Sequence, residues 1–212
     1  MIFVKKQNND TKNEFWIGFS DLMTGLMLVF IVLSLTFMAI AKQKIDEMQE
    51  QRKNIIVILS EKLATNDIKV EYNAEKGTVT IAQDILFERK KPDLNPEGKK
   101  FIQLFANILD ENILNNKKYK ELIKYIHIEG YASKEGSLHT NFYLSFERAK
   151  NVWLYMTKKD IKNRTTMKHM LNIVSRGEID ANQTTVDPND RKVIFRFEFY
   201  DTYAELFKGL SK

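Results

Sequence analysis

The chain of 212 residues contains no cysteine. That excludes disulfide bonds, thiolate zinc sites and thiol catalysis. Histidine is almost as scarce. His127, His139 and His169 are the only three, and none is paired at a helical spacing, so no metal ligand is assigned. An excess of one charge is lacking too. The formal net charge is +5, and the lysines are scattered among glutamates and aspartates. There is no basic stripe to follow a nucleic-acid backbone, so no nucleic-acid partner is expected. Nucleotide-binding loops, nucleophile motifs and carboxylate dyads are missing. No catalytic residue is therefore assigned, and the chain is not expected to be an enzyme. Internal repeats and low-complexity segments are absent as well.

What is present begins with one long apolar run. Residues 15–41 read FWIGFSDLMTGLMLVFIVLSLTFMAIA, and from Leu22 to Ala41 none is charged. At about 1.5 Å per residue those twenty span roughly 30 Å, the hydrocarbon core of a bilayer. A cleaved signal peptide fits poorly, because the run is too long and no small-x-small site precedes Lys42. A retained transmembrane helix is the expectation. Lysines flank it on both sides, so the positive-inside rule is close to silent on orientation.

Asp21 is the informative residue of this run. A carboxylate on the order of 9 Å into a membrane helix costs a few kcal/mol if it faces lipid, so it should face protein or water. Gly18, Asp21 and Gly25 share one helical stripe, where glycines admit a second helix backbone. Thr24 is close to one turn on and Ser20 is adjacent, so both belong to the candidate ion-carrying group. An interfacial aspartate capping the helix start is the alternative.

Beyond the apolar run, residues 42–64 stay helical in pattern, with Ile45, Met48, Ile55, Ile56, Leu59 and Leu63 as apolar positions. They predict a short stalk along which paired copies could pack. Gln51, Arg52 and Lys53 break the register of a long coiled coil. A hairpin follows, with strands over 68–72 and 78–82 around a turn at Asn73–Gly77. Pro96 opens a helix capped by Asn95, with Phe101, Leu104, Phe105, Ile108 and Leu109 on its core face. Strands are predicted over 125–131, 171–174 and 192–199, and helices over 141–157 and 161–170. The order β-β-α-β-α-β-β is that of an α+β sandwich with helices on one sheet face.

Two stretches resemble known families. FWIGFSDLMTGLMLVF is similar to the membrane helix of MotB-type stator subunits, with Asp21 in the place of their ion-carrying aspartate. The SDLMTGLM wording is closer to the ZorB subunits of Zorya anti-phage systems than to flagellar MotB. Residues 78–199 resemble the OmpA-like peptidoglycan-binding domain. VTIAQDILFERKKPDLNPEGKKFIQLFANIL corresponds to its opening, and IHIEGYASKEGSLHTNFYLSFERAKNVWLYM to its central signature. Gly130-Tyr131-Ala132-Ser133 stands for the family's GHTD. Asn141 stands for its asparagine, and Leu144-Ser145 with Arg148-Ala149 for its LSxxRA. NDRKVIFRFE, from Asn189, corresponds to the closing strand.

The resemblance implies an organisation and a site. Residues 1–14 would be a cytoplasmic tail, 15–41 the transmembrane helix and 42–65 a stalk or linker. Residues 66–200 would be a periplasmic OmpA-like domain and 201–212 a C-terminal tail, in a single-pass protein of the bacterial inner membrane. Arg148, Asn141, Leu144, Thr140, Tyr131 and Ser133 would form the peptidoglycan site. Arg148 would clamp a peptide carboxylate; an ordinary helix-surface arginine is the alternative. Ser133 replaces the family aspartate that pairs with a diaminopimelate amine, and Glu135 or Glu129 are candidates to substitute for it. A homodimer would sit within a MotA- or ZorA-like multi-helix subunit, about five copies around two of this chain. No cofactor is implied, only a translocated proton or sodium ion, the proton preferred. Zorya defence is favoured over flagellar rotation. A non-motor OmpA-like wall anchor would leave Asp21 unexplained. A TolR- or ExbD-like energiser would lack the LSxxRA signature.

Overall fold

A computed structural model describes residues 10–65, 70–158 and 161–201. Residues 1–9 of the expected tail, residues 68 and 69 of the first expected strand and residues 202–212 lie outside the described residues. The chain divides into two compact units, Met1–Glu47 and Met48–Lys212, and the division falls inside one helix, α1 (Asp10–Ala64).

Within the first unit, α1 is the one described helix long and apolar enough to cross a membrane. Phe15, Trp16, Leu22, Leu28 and Phe30 are each exposed, as lipid-facing side chains of a single span would be. Its two threonine hydroxyls beyond Phe15 bond within the helix. Thr24 Oγ1 donates to the Ser20 carbonyl and Thr36 Oγ1 to that of Val32, each at 2.8 Å.

The second unit is built on a five-stranded sheet in the order β1-β2-β5-β3-β4. The strands are β1 (Glu71–Asn73), β2 (Thr78–Ala82), β3 (Ile123–Tyr131), β4 (Leu171–Gly177) and β5 (Lys192–Phe199). β3 and β4 run parallel, and the other pairings are antiparallel. Strand alternation sets the two faces. Val79 and Ile81, Ile126 and Ile128, and Val193, Phe195 and Phe197 are buried in the core. Their alternates His127, Arg196 and Glu198 line the opposite face, where Glu198 accepts from Lys124 at 2.7 Å and lies 2.9 Å from His127 Nε2. The core is closed by α3 (Pro96–Ile108) and α5 (Leu138–Met156), and the rings of Phe105 and Phe195 stack at 4.3 Å.

The succession of strands and long helices along the chain, the Asn95 cap on Gly98 N–H and the span of β5 follow the sequence reading. Four short helices were not expected: α2 (Gln83–Leu86), a π-helical turn Leu109–Leu114 extending α3, α4 (Lys117–Leu122) and a 3₁₀ turn Pro188–Asp190. Each is too short to show a periodic apolar face. Buried Asp110 pins the π-helical turn by accepting from the backbone N–H groups of Lys162 and Asn163, each at 3.2 Å. The expected helix over 161–170 is shorter, α6 (Arg164–Met170).

The expected boundary at residue 66 also moves. Ile55, Ile56, Leu59 and Leu63 of α1 are fully buried in the core of the second unit, which starts at Met48. The apolar stripe read as a stalk for paired copies is covered by the chain's own domain. Arg52 seals the joint, with its guanidinium 5.4 Å from the Phe199 ring centre and donating to the Tyr200 carbonyl.

Candidate functional site

The site is assembled where α5 crosses the ends of β2, β3 and β5. Gly130 of β3 permits this crossing. A Cβ there would lie 2.2 Å from the Ser145 carbonyl oxygen of α5, so only glycine lets the helix backbone lie this close. Ser145 then ties α5 to β4. Its fully buried Oγ lies 2.6 Å from Ser175 Oγ and accepts from the Gly177 N–H at 3.1 Å. Ala149 packs into the core one turn on. The LSxxRA stretch thus docks the helix with one face while Leu144 and Arg148 turn toward a cavity.

That cavity has about 40 Å³ of free space, and Gln83, Arg89, Lys90, Ala132, Ser133, Glu135, Asn141, Leu144, Arg148 and Arg191 line it. Such a space takes only a few water-sized groups, the scale of a carboxylate head. Arg148 is 2% exposed. Its Nη1 donates to Gln83 Oε1 at 2.6 Å, its Nε donates to the Lys91 carbonyl at 3.1 Å, and its guanidinium lies 5.4 Å from the Phe87 ring centre. Among the described residues no carboxylate pairs with it. Burial, and then the neighbouring Arg191 charge, push its pKa down to about 10. It therefore remains cationic at neutral pH. A buried guanidinium held by neutral acceptors is a binding site for an incoming anion.

Glu135 organises the rim. Arg89 Nη2 lies 2.9 Å, Lys90 Nζ 3.6 Å and Arg191 Nη1 3.7 Å from its carboxylate. Hydrogen bonding and charge from Arg89 hold its pKa below the usual carboxylate range, opposed by a smaller desolvation effect. One acid thereby joins three segments distant in sequence.

Four of the six residues expected at the wall site, Arg148, Asn141, Leu144 and Ser133, line this cavity. Thr140 and Tyr131 do not. Thr140 belongs to the cap of α5: its backbone N–H donates to Oγ of the N-cap residue Ser137 at 3.2 Å, and its Oγ1 lies 2.8 Å from that oxygen. Tyr131 sits on the opposite sheet face and donates to Glu129 at 2.6 Å. Strand alternation requires this, since Tyr131 shares parity with Glu129 and His127 and not with Gly130. Glu129 also accepts from Arg196 at 2.8 Å, so it is removed from the cavity as a substitute for the family aspartate. Gln83, Arg89, Lys90 and Arg191 were not anticipated. Gln83 and Arg191 come together because Ala82 of β2 pairs with Lys192 of β5, and the Gln83 N–H donates to the Arg191 carbonyl at 3.1 Å.

In the first unit, Ser20, Asp21 and Thr24 share a shallow concavity with Trp16 and Ile17. The Thr24 hydroxyl is directed to the Ser20 carbonyl and not to Asp21. A Cβ at Gly18 or Gly25 would meet nothing within 4 Å, so the glycine stripe leaves open space in a single copy.

The OmpA family profile covers residues 86–194. The Zorya protein ZorB of Escherichia coli O139:H28 is 25% identical over 166 residues, 75% of this chain and 66% of that protein. This chain thus spans just under two thirds of that relative's length. The Zorya protein ZorB of Escherichia coli strain Crooks is 32% identical over 176 residues, 74% of this chain and 72% of that protein. A putative MotB like protein from Desulfovibrio vulgaris shares the fold, with a TM-score of 0.50 at 17% identity over 76% of this chain and 97% of that one. With a family match over half its length and a ZorB relative above 30% identity, the chain belongs to the OmpA family, as a ZorB-type member.

Proposed function

We propose that this protein is the wall-anchored stator subunit of an ion-driven motor in a Zorya-type anti-phage defence system. The domain grips peptidoglycan from the periplasm, and α1 holds it in the inner membrane. The observation that carries this reading is Arg148: a desolvated guanidinium, unpaired with any described carboxylate, opening into a cavity of carboxylate size. Its fork matches a peptide carboxylate through two parallel hydrogen bonds.

The rest of the reading follows from α1. Two copies pair within a ring of about five ZorA-like subunits. Asp21 takes up and releases a proton, and the change of local charge moves the ring against the anchored pair. The open stripe at Gly18 and Gly25 is where a neighbouring helix backbone would approach. The chain performs no bond chemistry in this scheme.

The test is to express the full chain with its ZorA-like partner and measure two things. Cell-wall sacculi should co-sediment with the membrane-extracted protein, and phage plaquing should fall in cells carrying both subunits. Sacculus binding without protection would reduce the protein to a wall anchor. Protection without sacculus binding would remove the anchoring role.

A further inference from the structure

The charges lining the Arg148 cavity say more than that it binds an anion. Its cations are Arg89, Lys90, Arg148 and Arg191, and its one acid is Glu135. Glu135 is already shared among Arg89, Lys90 and Arg191. The remaining polar lining, Gln83, Ser133 and Asn141, is neutral. Gln83 is occupied by Arg148, and the amide of Asn141 donates to Glu178, which lies outside the lining. Ser133 is 3% exposed and offers only a hydroxyl. A ligand ammonium entering here would meet several like charges and no uncommitted carboxylate. Like charges within about 4–6 Å disfavour a charged group, and a buried ammonium without a partner is costly.

We infer that this cavity selects wall peptides that present a carboxylate beside an acylated amine, the arrangement at a cross-linked diacid residue, over peptides with that amine free. An amide at this position brings no positive charge. Its carbonyl can accept from the Ser133 hydroxyl, and its N–H can donate to that oxygen. The carboxylate next to it satisfies Arg148. The domain would then grip the cross-linked, load-bearing fraction of the wall in preference to loose stems. This rests on the wall-anchoring reading and specifies which form of the wall is held.

The experiment uses the full chain in detergent and three preparations of sacculi: untreated, amine-acetylated with acetic anhydride, and carboxyl-amidated with carbodiimide and methylamine. Acetylation should tighten binding by about twofold or more, whereas amidation should weaken it about tenfold or more. Ser133→Asp supplies an acid for an ammonium and should reverse the preference, binding untreated sacculi several-fold more tightly than acetylated ones. Unchanged or weakened binding of the natural chain on acetylation would overturn the inference and leave anchoring intact. Failure to bind any of the three preparations would overturn both.

Discussion

Nη1 of Arg148 donates to Oε1 of Gln83 at 2.6 Å, joining α5 to a residue 65 positions earlier. The bond aims the guanidinium without neutralising it. A carboxylate in place of Gln83 would fill the site with an internal salt bridge, and the cavity would have nothing left to offer an anion.

Arg148→Lys should therefore fail although it keeps the charge. Lysine is a single flexible point donor and cannot hold Gln83, the Lys91 carbonyl and a ligand in one plane. Sacculus binding should fall about tenfold or more in Arg148→Lys, and at least as far in Arg148→Ala. Thermal unfolding should show both variants folded, since the guanidinium's burial is itself costly. Either variant binding sacculi like the natural chain would remove Arg148 from the site.

Asp21→Asn keeps the side chain's shape and hydrogen-bonding capacity but cannot lose a proton. Phage protection should be abolished, with membrane abundance and sacculus binding unchanged. Full protection by Asp21→Asn cells in a plaquing assay would dismiss the ion-carrier role.

Leu59 is fully buried in the domain core although it belongs to α1. Leu59→Ala should destabilise the domain by about 2–5 kcal/mol, the range for a leucine deleted from a packed core. A chain truncated to residues 66–212 lacks Leu59 and Leu63 altogether and should show no cooperative unfolding transition, read by circular dichroism. A sharp transition from that truncation would return residues 48–65 to the role of a stalk.

How far the sequence reaches is visible at these positions. Arg148, Leu144, Asn141 and Ser133 lie within sixteen consecutive residues of one signature, so a single motif match located them together. Gln83, Arg89, Lys90 and Arg191 enter through the β2–β5 register and the loop after α2, which leave no local trace. Tyr131 was misplaced by reading the motif as a block; the alternation in IHIEGY already puts it with Glu129 on the other face. Thr140 follows Ser137 at the spacing of a helix cap, a signal that outranks its place in the motif. The stripe at Ile55, Ile56, Leu59 and Leu63 showed that α1 has a buried face, but a stripe cannot say whose surface covers it.

Gly130→Ala would place a methyl group 2.2 Å from the Ser145 carbonyl oxygen. α5 must then lift from β3, which should cost about 1–3 kcal/mol as overpacking does. Because Arg148 rides on the same helix, sacculus binding should drop along with the midpoint of thermal unfolding. Unchanged values for both would show that the crossing tolerates a side chain.

The clamp at Glu135 fixes an acid limit for the site. Its folded-state pKa lies below the usual carboxylate range, with Arg89 as the main cause. Its contribution to stability is therefore fully present above the unfolded value of about 4.3 and is lost only as pH falls through the lower folded value. Wall binding should stay level from about pH 7 down to about pH 5, while Glu135→Gln should weaken it across that whole range. Binding that falls steeply in the natural chain over that interval would point to a different titrating group.

The burial of the apolar face of α1 between Ile55 and Leu63 has a mechanical consequence. Any tension that arrives along α1 ends on Ile55, Ile56, Leu59 and Leu63, the side chains that hold the sheet to its helices. The tether cannot be drawn out without tearing open the domain, so the pull the joint withstands is set by how slowly the domain unfolds under load. Thermal robustness and grip strength would then be one property, and a variant that melts early should also let go early.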